Sequence, residues 1–196
     1  MRGRRPGCSA WEFAGSGKVS NMAVFYFIRH GQMDFAQSNT KIYRDAGFNM
    51  LPLSATGQAQ IKAAARDARL KEAELILASP FGRTMHSAAI LSKELGLEIA
   101  VETDLHEWMA DGKTFAYLPQ EEAEVCYRQL TENHGEHPAG QTPAWESAGQ
   151  MKRRVFAVLD RYAERRCVIV CCHGTLMQYV LGIKHPENGQ IVKLER

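Results

Sequence analysis

The residues of this chain best suited to chemistry stand directly after predicted β-strands. Three strand ends carry cationic or imidazole side chains: Arg29-His30-Gly31 after Val24–Ile28, Ser79–Arg83 after Glu74–Ala78, and His173-Gly174 after Cys167–Cys172. In an open α/β sheet, the carboxyl ends of parallel strands meet at one edge, which is where ligands bind. Two arginines and two histidines there would form a cationic pocket suited to a tetrahedral dianion, because guanidinium groups hold phosphate oxygens through paired donors.

The elements that must position these residues alternate between strand and helix patterns. The predicted strands are Val24–Ile28, Glu74–Ala78, Glu98–Val101, Cys167–Cys172 and Gln190–Leu194. The predicted helices run from Ser54 to about Leu70, from Ser79-Pro80 to a stop at Gly96, over about Gln120–Thr131, over about Trp145–Glu164, and over residues 174–183. Cys167–Cys172 is apolar throughout, which indicates a strand buried on both faces. The alternation predicts an α/β domain with a mostly parallel sheet.

Length, charge and composition argue against several classes of protein. The chain has 196 residues, 45% hydrophobic and 23% charged, as expected for one globular domain. A formal net charge of +2 is too small to indicate nucleic-acid binding, and no apolar run approaches the ~20 residues that cross a bilayer. Residues 1–22 are basic and glycine-rich, so we expect a mobile N-terminal extension followed by one domain over residues 23–196.

The cysteines and the remaining histidines support neither a disulfide framework nor a metal site. Five cysteines is an odd number, and three of them crowd the predicted strand Cys167–Cys172, which points to a reducing compartment. His134 and His137 form an H-x-x-H pair without a third ligand nearby, and the chain has no C-x-x-C pair. We therefore expect a cytoplasmic protein without a bound metal ion.

Five short motifs give the chain a family resemblance. In order, they are Arg29-His30-Gly31, Leu53-Ser54-x-x-Gly57, Ser79-Pro80-x-x-Arg83, Leu105-His106-Glu107 and His173-Gly174. In these motifs, spread from about residue 23 to about residue 194, the sequence resembles the histidine phosphatase superfamily, whose fold is phosphoglycerate mutase-like. The resemblance implies a three-layer α/β/α sandwich with a mostly parallel central sheet, and a phosphohistidine intermediate formed without a cofactor.

The resemblance also implies a role for each matched residue. His30 matches the nucleophile, Arg29 and Arg83 match the phosphate-binding arginines, and His173 matches a donor to a phosphate oxygen. Glu107 matches the general acid, and Asp111 is the alternative in the same acidic stretch. The predicted substrate-binding residues are Arg29, Gly31, Gln32, Arg83 and His173. Because a cationic pocket lowers the pKa of an imidazole, we expect His30 to be neutral and able to attack at neutral pH.

The chain also departs from the family pattern close to the nucleophile. Met33 and Ala36 stand where members usually carry a hydroxyl residue and an asparagine, and the segment before the last strand is short. These departures predict a more open pocket and a larger or protein-bound phosphate. Eight side chains in the irregular connections either wall this pocket or pack on the domain: Phe35, Tyr43, Arg44, Phe48, Trp108, Lys113, Phe115 and Tyr117.

Three functions are compatible with this set of residues. The leading prediction is a metal-independent phosphatase that hydrolyses a phosphomonoester, carried by a small molecule or a protein, through phosphorylated His30. A phosphoglycerate-type phosphomutase is the first alternative. It needs a pocket that excludes water, and the short segment before the last strand does not favour such a pocket. A non-catalytic phosphate-binding protein is the second alternative, and it would have no need of Glu107. The sequence leaves the substrate and the oligomeric state open.

Overall fold

A five-stranded sheet forms the centre of the molecule. The computed structural model describes residues 22–196, so the expected extension over residues 1–22 lies outside the described residues apart from Met22. The strands are β1 (Val24–Arg29), β2 (Leu75–Ala78), β3 (Ile99–Val101), β4 (Cys167–Cys172) and β5 (Ile191–Glu195). Their spatial order is β3-β2-β4-β1-β5, with β5 antiparallel to β1 and all other pairs parallel. The predicted mostly parallel sheet is confirmed.

Helices cover both faces of this sheet. They are α1 (Ala55–Ala64), α2 (Gly82–Leu95), α3 (Gln120–Glu132), α4 (Ala148–Asp160) and α5 (Gly174–Leu181). Alternate residues of β1 point to opposite faces, so Phe25 and Phe27 pack with α4 and α5, while Ile28 packs with α1 and α2. The result is the predicted three-layer α/β/α sandwich.

Two helices are shorter than the sequence pattern predicts, and local hydrogen bonds explain both. Helix α1 ends at Ala64, and the side chain of Asp67 then accepts from the backbone N–H of Arg69 to start a separate 3-10 turn. Helix α4 begins after Ser147, whose side chain and that of Gln150 form a capping box. Trp145 therefore lies outside the helix, where it is buried.

Two long irregular connections of the described chain contribute residues to the pocket. Three 3-10 turns lie between β1 and α1, over Phe35–Gln37, Lys41–Tyr43 and Asp45–Met50. A second connection joins β3 to α3 and includes a 3-10 turn at Thr103–Leu105. Over residues 22–196, no helix is both long and apolar enough to span a membrane.

Candidate active site

The three predicted strand ends lie side by side at the carboxyl edge of the parallel strands. Because β4 pairs with both β1 and β2, the residues that follow these strands share backbone hydrogen bonds. The N–H of His30 donates to the carbonyl of Cys172 at 3.0 Å, and the N–H of Ser79 donates to that of Cys171 at 3.2 Å. The rings of His30 and His173 consequently meet edge to face, with their centroids 5.4 Å apart.

His30 is held in one tautomer by its own neighbour in the chain. Its Nδ1 lies 2.8 Å from the carbonyl oxygen of Gly31, which can only accept, so Nδ1 carries the proton and Nε2 carries the lone pair. Burial, followed by the positive charge of Arg83, lowers the pKa of His30 from 6.5 to about 3. The ring is therefore neutral at physiological pH, as the sequence analysis expects, with burial contributing more than the cations.

Arg83 projects from the first turn of α2 and is almost fully buried. Its Nε donates to Nδ1 of His173 at 3.2 Å, and its Nη1 donates to Oδ1 of Asn49 at 3.4 Å. The guanidinium also lies over the ring of Phe81, 4.9 Å from the ring centroid. Burial lowers the pKa of Arg83 to about 10, which still leaves the side chain charged at neutral pH.

His173 is oriented by two side chains that lie distant from it in the sequence. Because Nε of Arg83 always donates, Nδ1 of His173 must accept, which leaves the proton on Nε2. Nε2 then donates to Oγ of Ser79 at 2.7 Å. Burial and the nearby Arg83 lower the pKa of His173 well below its ordinary value. Both ring nitrogens of His173 therefore have hydrogen-bond partners, and the ring orients Arg83. For His173 to donate a hydrogen bond to phosphate, Nε2 would first have to release Ser79.

Arg29 lies at the end of β1, where it faces the start of α5. Its Nη1 donates to the carbonyl of Pro186 at 2.5 Å, whereas its buried Nε has no hydrogen-bond partner in the described part of the chain. The guanidinium fits there because residue 174 is glycine, since a Cβ at Gly174 would lie 3.0 Å from Nε. A buried N–H without an acceptor is costly, so Arg29 is well suited to receive an anionic oxygen.

Glu107 is placed at the N-terminus of α5 by backbone hydrogen bonds. Its Oε1 accepts from the N–H groups of Trp108 and Leu176, both at 2.9 Å, and its Oε2 accepts from Thr175 at 3.2 Å. A carboxylate at a helix N-terminus is favourable because of the helix dipole. Asp111 instead accepts hydrogen bonds from Lys113 and Thr114 in a turn outside the pocket. The structure thus brings Glu107, and not Asp111, to the arginines.

Two cavities meet at Glu107. The first has a volume of about 550 Å³ and is lined by Arg29, Glu107 and residues from the start of α5 and the segment 185–188. The second has a volume of about 270 Å³ and is lined by Arg83, Glu107 and mostly apolar side chains. Each arginine thus lines a different cavity, and Glu107 lines both, whereas His30 lines neither.

Gly31 and Gln32, also predicted to bind substrate, occupy different environments. A Cβ at Gly31 would lie 2.3 Å from the carbonyl oxygen of Gly57, so only glycine allows the nucleophile loop to approach α1 this closely. The N–H of Gly31 donates to Oγ of Ser87 at 3.2 Å. Gln32 is exposed, and its Oε1 lies 3.4 Å from Oγ of Ser54, so its side chain contacts the residue that caps α1.

Comparison with known proteins places this site in a family. The model of the histidine phosphatase superfamily (branch 1) matches residues 25–187, a span that contains all five motifs. This chain belongs to the histidine phosphatase superfamily.

Two curated relatives of this superfamily member carry the name "Probable phosphoglycerate mutase GpmB". The protein of Photorhabdus laumondii is 28% identical over 142 residues, which cover 71% of this chain and 62% of the relative. The protein of Yersinia enterocolitica is 26% identical over 146 residues, covering 73% and 64%. The chain therefore spans less than two thirds of the length of these relatives.

Solved structures of the same fold show lower identity over nearly the whole domain. A mycobacterial glucosyl-3-phosphoglycerate phosphatase in its native form superimposes with a TM-score of 0.64 at 19% identity, covering 88% of this chain and 89% of that chain. A structure named mycobacterial hydrolase 1 gives a TM-score of 0.65 at 20% identity, with the same two coverages. These likenesses establish the phosphoglycerate mutase-like fold.

Three side chains of the superfamily site escaped the sequence analysis. Ser79 accepts from His173, Asn49 accepts from Arg83, and Nδ2 of Asn188 donates to the carbonyl of His30 at 2.8 Å. Only Ser79 carries a sequence signal, since it begins the motif Ser79-Pro80-x-x-Arg83. In the sequence analysis, this position predicts only the start of a helix. The two asparagines lie in irregular connections with no pattern to single them out.

Proposed function

We propose that this histidine phosphatase superfamily member hydrolyses a phosphomonoester through a phosphohistidine on Nε2 of His30, without a metal ion. The observation that carries the proposal is the hydrogen bond between Nδ1 of His30 and the carbonyl of Gly31. It leaves the lone pair of a neutral, buried imidazole on Nε2, and Arg83 is close enough for its charge to lower the pKa of the ring. A neutral imidazole nitrogen is a competent nucleophile, and the guanidinium stabilises the negative charge that develops on the phosphoryl oxygens.

The reaction has two steps. In the first, Nε2 of His30 attacks phosphorus, the bond from phosphorus to the leaving oxygen breaks, and Glu107 gives that oxygen a proton. Within residues 22–196, Oε2 of Glu107 accepts one hydrogen bond, from Thr175, so it retains a lone pair that can carry this proton. In the second, Glu107 takes a proton from a water molecule that attacks phosphorus. The second step releases inorganic phosphate and regenerates His30.

The test compares the wild-type protein with two histidine variants, using p-nitrophenyl phosphate in the presence of EDTA. We expect His30→Ala to lower kcat at least ~1000-fold, as losses of catalytic nucleophiles do. His134→Ala, at an exposed histidine remote from the pocket, should keep wild-type activity. Because phosphohistidine is hydrolysed in acid, the reaction is quenched at alkaline pH. Mass spectrometry of the peptide that contains His30 then detects the intermediate. Phosphate binding without turnover of any phosphoester would instead favour the non-catalytic alternative.

The names of the relatives favour phosphoglycerate mutase as the second candidate. A mutase must return the phosphoryl group to the same carbon skeleton, so it would interconvert 2- and 3-phosphoglycerate faster than it releases phosphate. We expect the reverse, because Glu107, which would activate the water, lines two cavities that are open to solvent. Measuring isomerisation and phosphate release in the same reaction decides between them.

The proposal also covers the class of substrate and the cellular compartment. We expect a phosphorylated small molecule or phosphoprotein as substrate, with no nucleic-acid or membrane partner. The free thiols of Cys126, Cys167, Cys171 and Cys172 support the reducing, cytoplasmic compartment expected from the sequence.

A further inference from the structure

An apolar groove leads from the reacting groups to the surface. The 270 Å³ cavity that begins at Arg83 and Glu107 shares four lining residues with a neighbouring cavity of about 540 Å³. The shared residues are Phe48, Tyr117, Leu118 and Ala123. We call this continuous space the aromatic groove; its main side chains are Phe35, Phe48, Phe81, Phe115, Tyr117 and Leu118.

The aromatic side chains of this groove remain open to solvent. Phe35, Phe115 and Tyr117 are 55%, 57% and 47% exposed, and Phe48 is 37% exposed. The rings of Phe35 and Phe48 contact each other with centroids 6.2 Å apart, so they form one wall rather than isolated residues. Contiguous exposed apolar surface on a soluble domain marks a binding site more often than chance. Of the eight side chains predicted to wall the pocket or pack, five line these cavities: Phe35, Phe48, Trp108, Phe115 and Tyr117.

Phe115 occupies the groove in a strained backbone conformation. Its φ is 58°, in the left-handed region that bulky residues rarely adopt. Its ring packs edge to face on the ring of His106, with centroids 5.3 Å apart. Strained residues of this kind persist where the surrounding structure holds them in place, and they concentrate at ligand sites. The contact with His106 holds the ring of Phe115 in place as part of the groove wall.

The charges around the groove define what it can hold. Among the described residues that line the groove, Arg83 is the only cation, and it lies at the inner end, where the phosphoryl group would sit. Arg44 and Lys113, both considered for the pocket wall, line neither of the two cavities. A leaving group with its own carboxylate or second phosphate would therefore lose part of its hydration against the aromatic rings without gaining a countercharge, which is unfavourable. The outer groove favours a neutral, flat, apolar group.

We propose that the aromatic groove binds the leaving group of the substrate, and that this leaving group is a neutral small molecule carrying an aromatic ring. The proposal rests on the proposed function, because it places the phosphoryl group at Arg83 and the leaving oxygen at Glu107. The ring then lies further out, between Phe48 on one side and Tyr117 on the other. Offset and edge-to-face contacts with these rings add to the burial of apolar area.

The kinetic test uses substrates whose leaving alcohols are chemically alike. Ethyl phosphate and 2-phenylethyl phosphate both release a primary alcohol, so they differ mainly in the ring and not in the ease of bond breaking. We expect the wild-type kcat/KM to be at least about tenfold higher for 2-phenylethyl phosphate, a preference of about 1.4 kcal/mol. Phe48→Ala and Tyr117→Ala should each reduce this ratio severalfold. Ile42→Ala, which removes an exposed apolar side chain from the same connection outside the groove, should leave the ratio unchanged.

A binding measurement separates failure of this inference from failure of the proposed function. Titration calorimetry with the non-hydrolysable 2-phenylethylphosphonate and ethylphosphonate needs no catalysis, and Tyr117→Ala should abolish most of the difference in Kd. Equal Kd values for the two phosphonates would overturn the groove assignment even if both phosphates are hydrolysed. Tenfold tighter binding of the phenylethyl compound would support it even if no phosphate ester is turned over. A phosphotyrosine peptide hydrolysed at least tenfold better than phenyl phosphate, which also releases a phenol, would overturn the small-molecule assignment.

Discussion

The protonation state of His30 depends first on its burial and second on the charge of Arg83, and this order can be tested. Replacing Arg83 with Gln removes the cation but leaves the ring buried, so the pKa of His30 should rise from about 3 only part of the way toward 6.5. NMR titration of the His30 ring protons measures the change. Arg44→Gln, at an exposed arginine outside the pocket, serves as the control. An unchanged pKa in Arg83→Gln would mean that the charge of Arg83 does not lower the pKa of His30.

We expect Ser79 to affect the proposed reaction through His173 and Arg83 rather than by contacting the substrate. In Ser79→Ala, Nε2 of the fully buried His173 loses its acceptor, which costs about 1–3 kcal/mol where the group stays unpaired. The hydrogen bond with Arg83 keeps the tautomer, but the ring can then move, and Nε of Arg83 loses a rigid partner. We expect kcat/KM to fall about tenfold, with activity restored in Ser79→Thr, which keeps the hydroxyl. The ¹⁵N chemical shift of Nε2 in His173 reports the hydrogen bond to residue 79, and an unchanged shift in Ser79→Ala would contradict this role.

At the scale of elements, the contact between the nucleophile loop and the start of α1 depends on two glycines. A Cβ at Gly57 would lie 2.1 Å from the carbonyl oxygen of Gln32, a backbone atom that cannot rotate away. Gly57→Ala should therefore displace the loop that carries His30, lower activity, and destabilise the fold by about 1–3 kcal/mol. Urea unfolding and kcat/KM on the same samples measure both effects.

Gly149 offers the matched control for this substitution. It lies in the first turn of α4, and an added Cβ would meet nothing closer than 3.6 Å. Gly149→Ala should therefore be neutral or stabilising by up to about 1 kcal/mol, because alanine favours a helix over glycine. Equal losses of stability in the two variants would show that close approach at Gly57 is not the cause.

The sequence predicts the elements and the strand ends well because both depend on local patterns. The apolar run Cys167–Cys172 is confirmed residue for residue, and Gly96 ends α2 with a φ of 72° as a helix-stopping glycine should. The hydrogen bond from His173 to Ser79 is different, since it joins residues 94 positions apart. It depends on the pairing of β4 with β2, which no local pattern encodes. The start of α4 is the exception, because Ser147 and Gln150 do carry a capping-box signature that we overlooked.

For the whole molecule, burying neutral histidines makes stability depend on pH. His30 and His173 both have a lower pKa in the folded chain than the ordinary 6.5 of an unfolded chain, and so does His106. Below pH 6.5 the unfolded chain therefore binds more protons, and unfolding becomes easier as the pH falls toward about 3 for His30. Each such histidine contributes a slope of up to about 1.4 kcal/mol per pH unit within its window. Above pH 6.5 these histidines are mostly neutral in both the folded and the unfolded chain, so they no longer lower the free energy of unfolding.

The histidine contribution can be isolated between pH 6 and 4.5. The carboxylates with lowered pKa values, Asp67, Asp111 and Asp160, lose their contributions only as the pH falls below their ordinary value of 3.8. Urea unfolding of His30→Gln should therefore show a slope about 1.4 kcal/mol per pH unit smaller than that of the wild type in this window. His134→Gln, at an exposed position, should retain the wild-type slope. If His30→Gln matches the wild type, then His30 is not buried in its neutral form, and it would have to lose a proton before it could attack phosphorus.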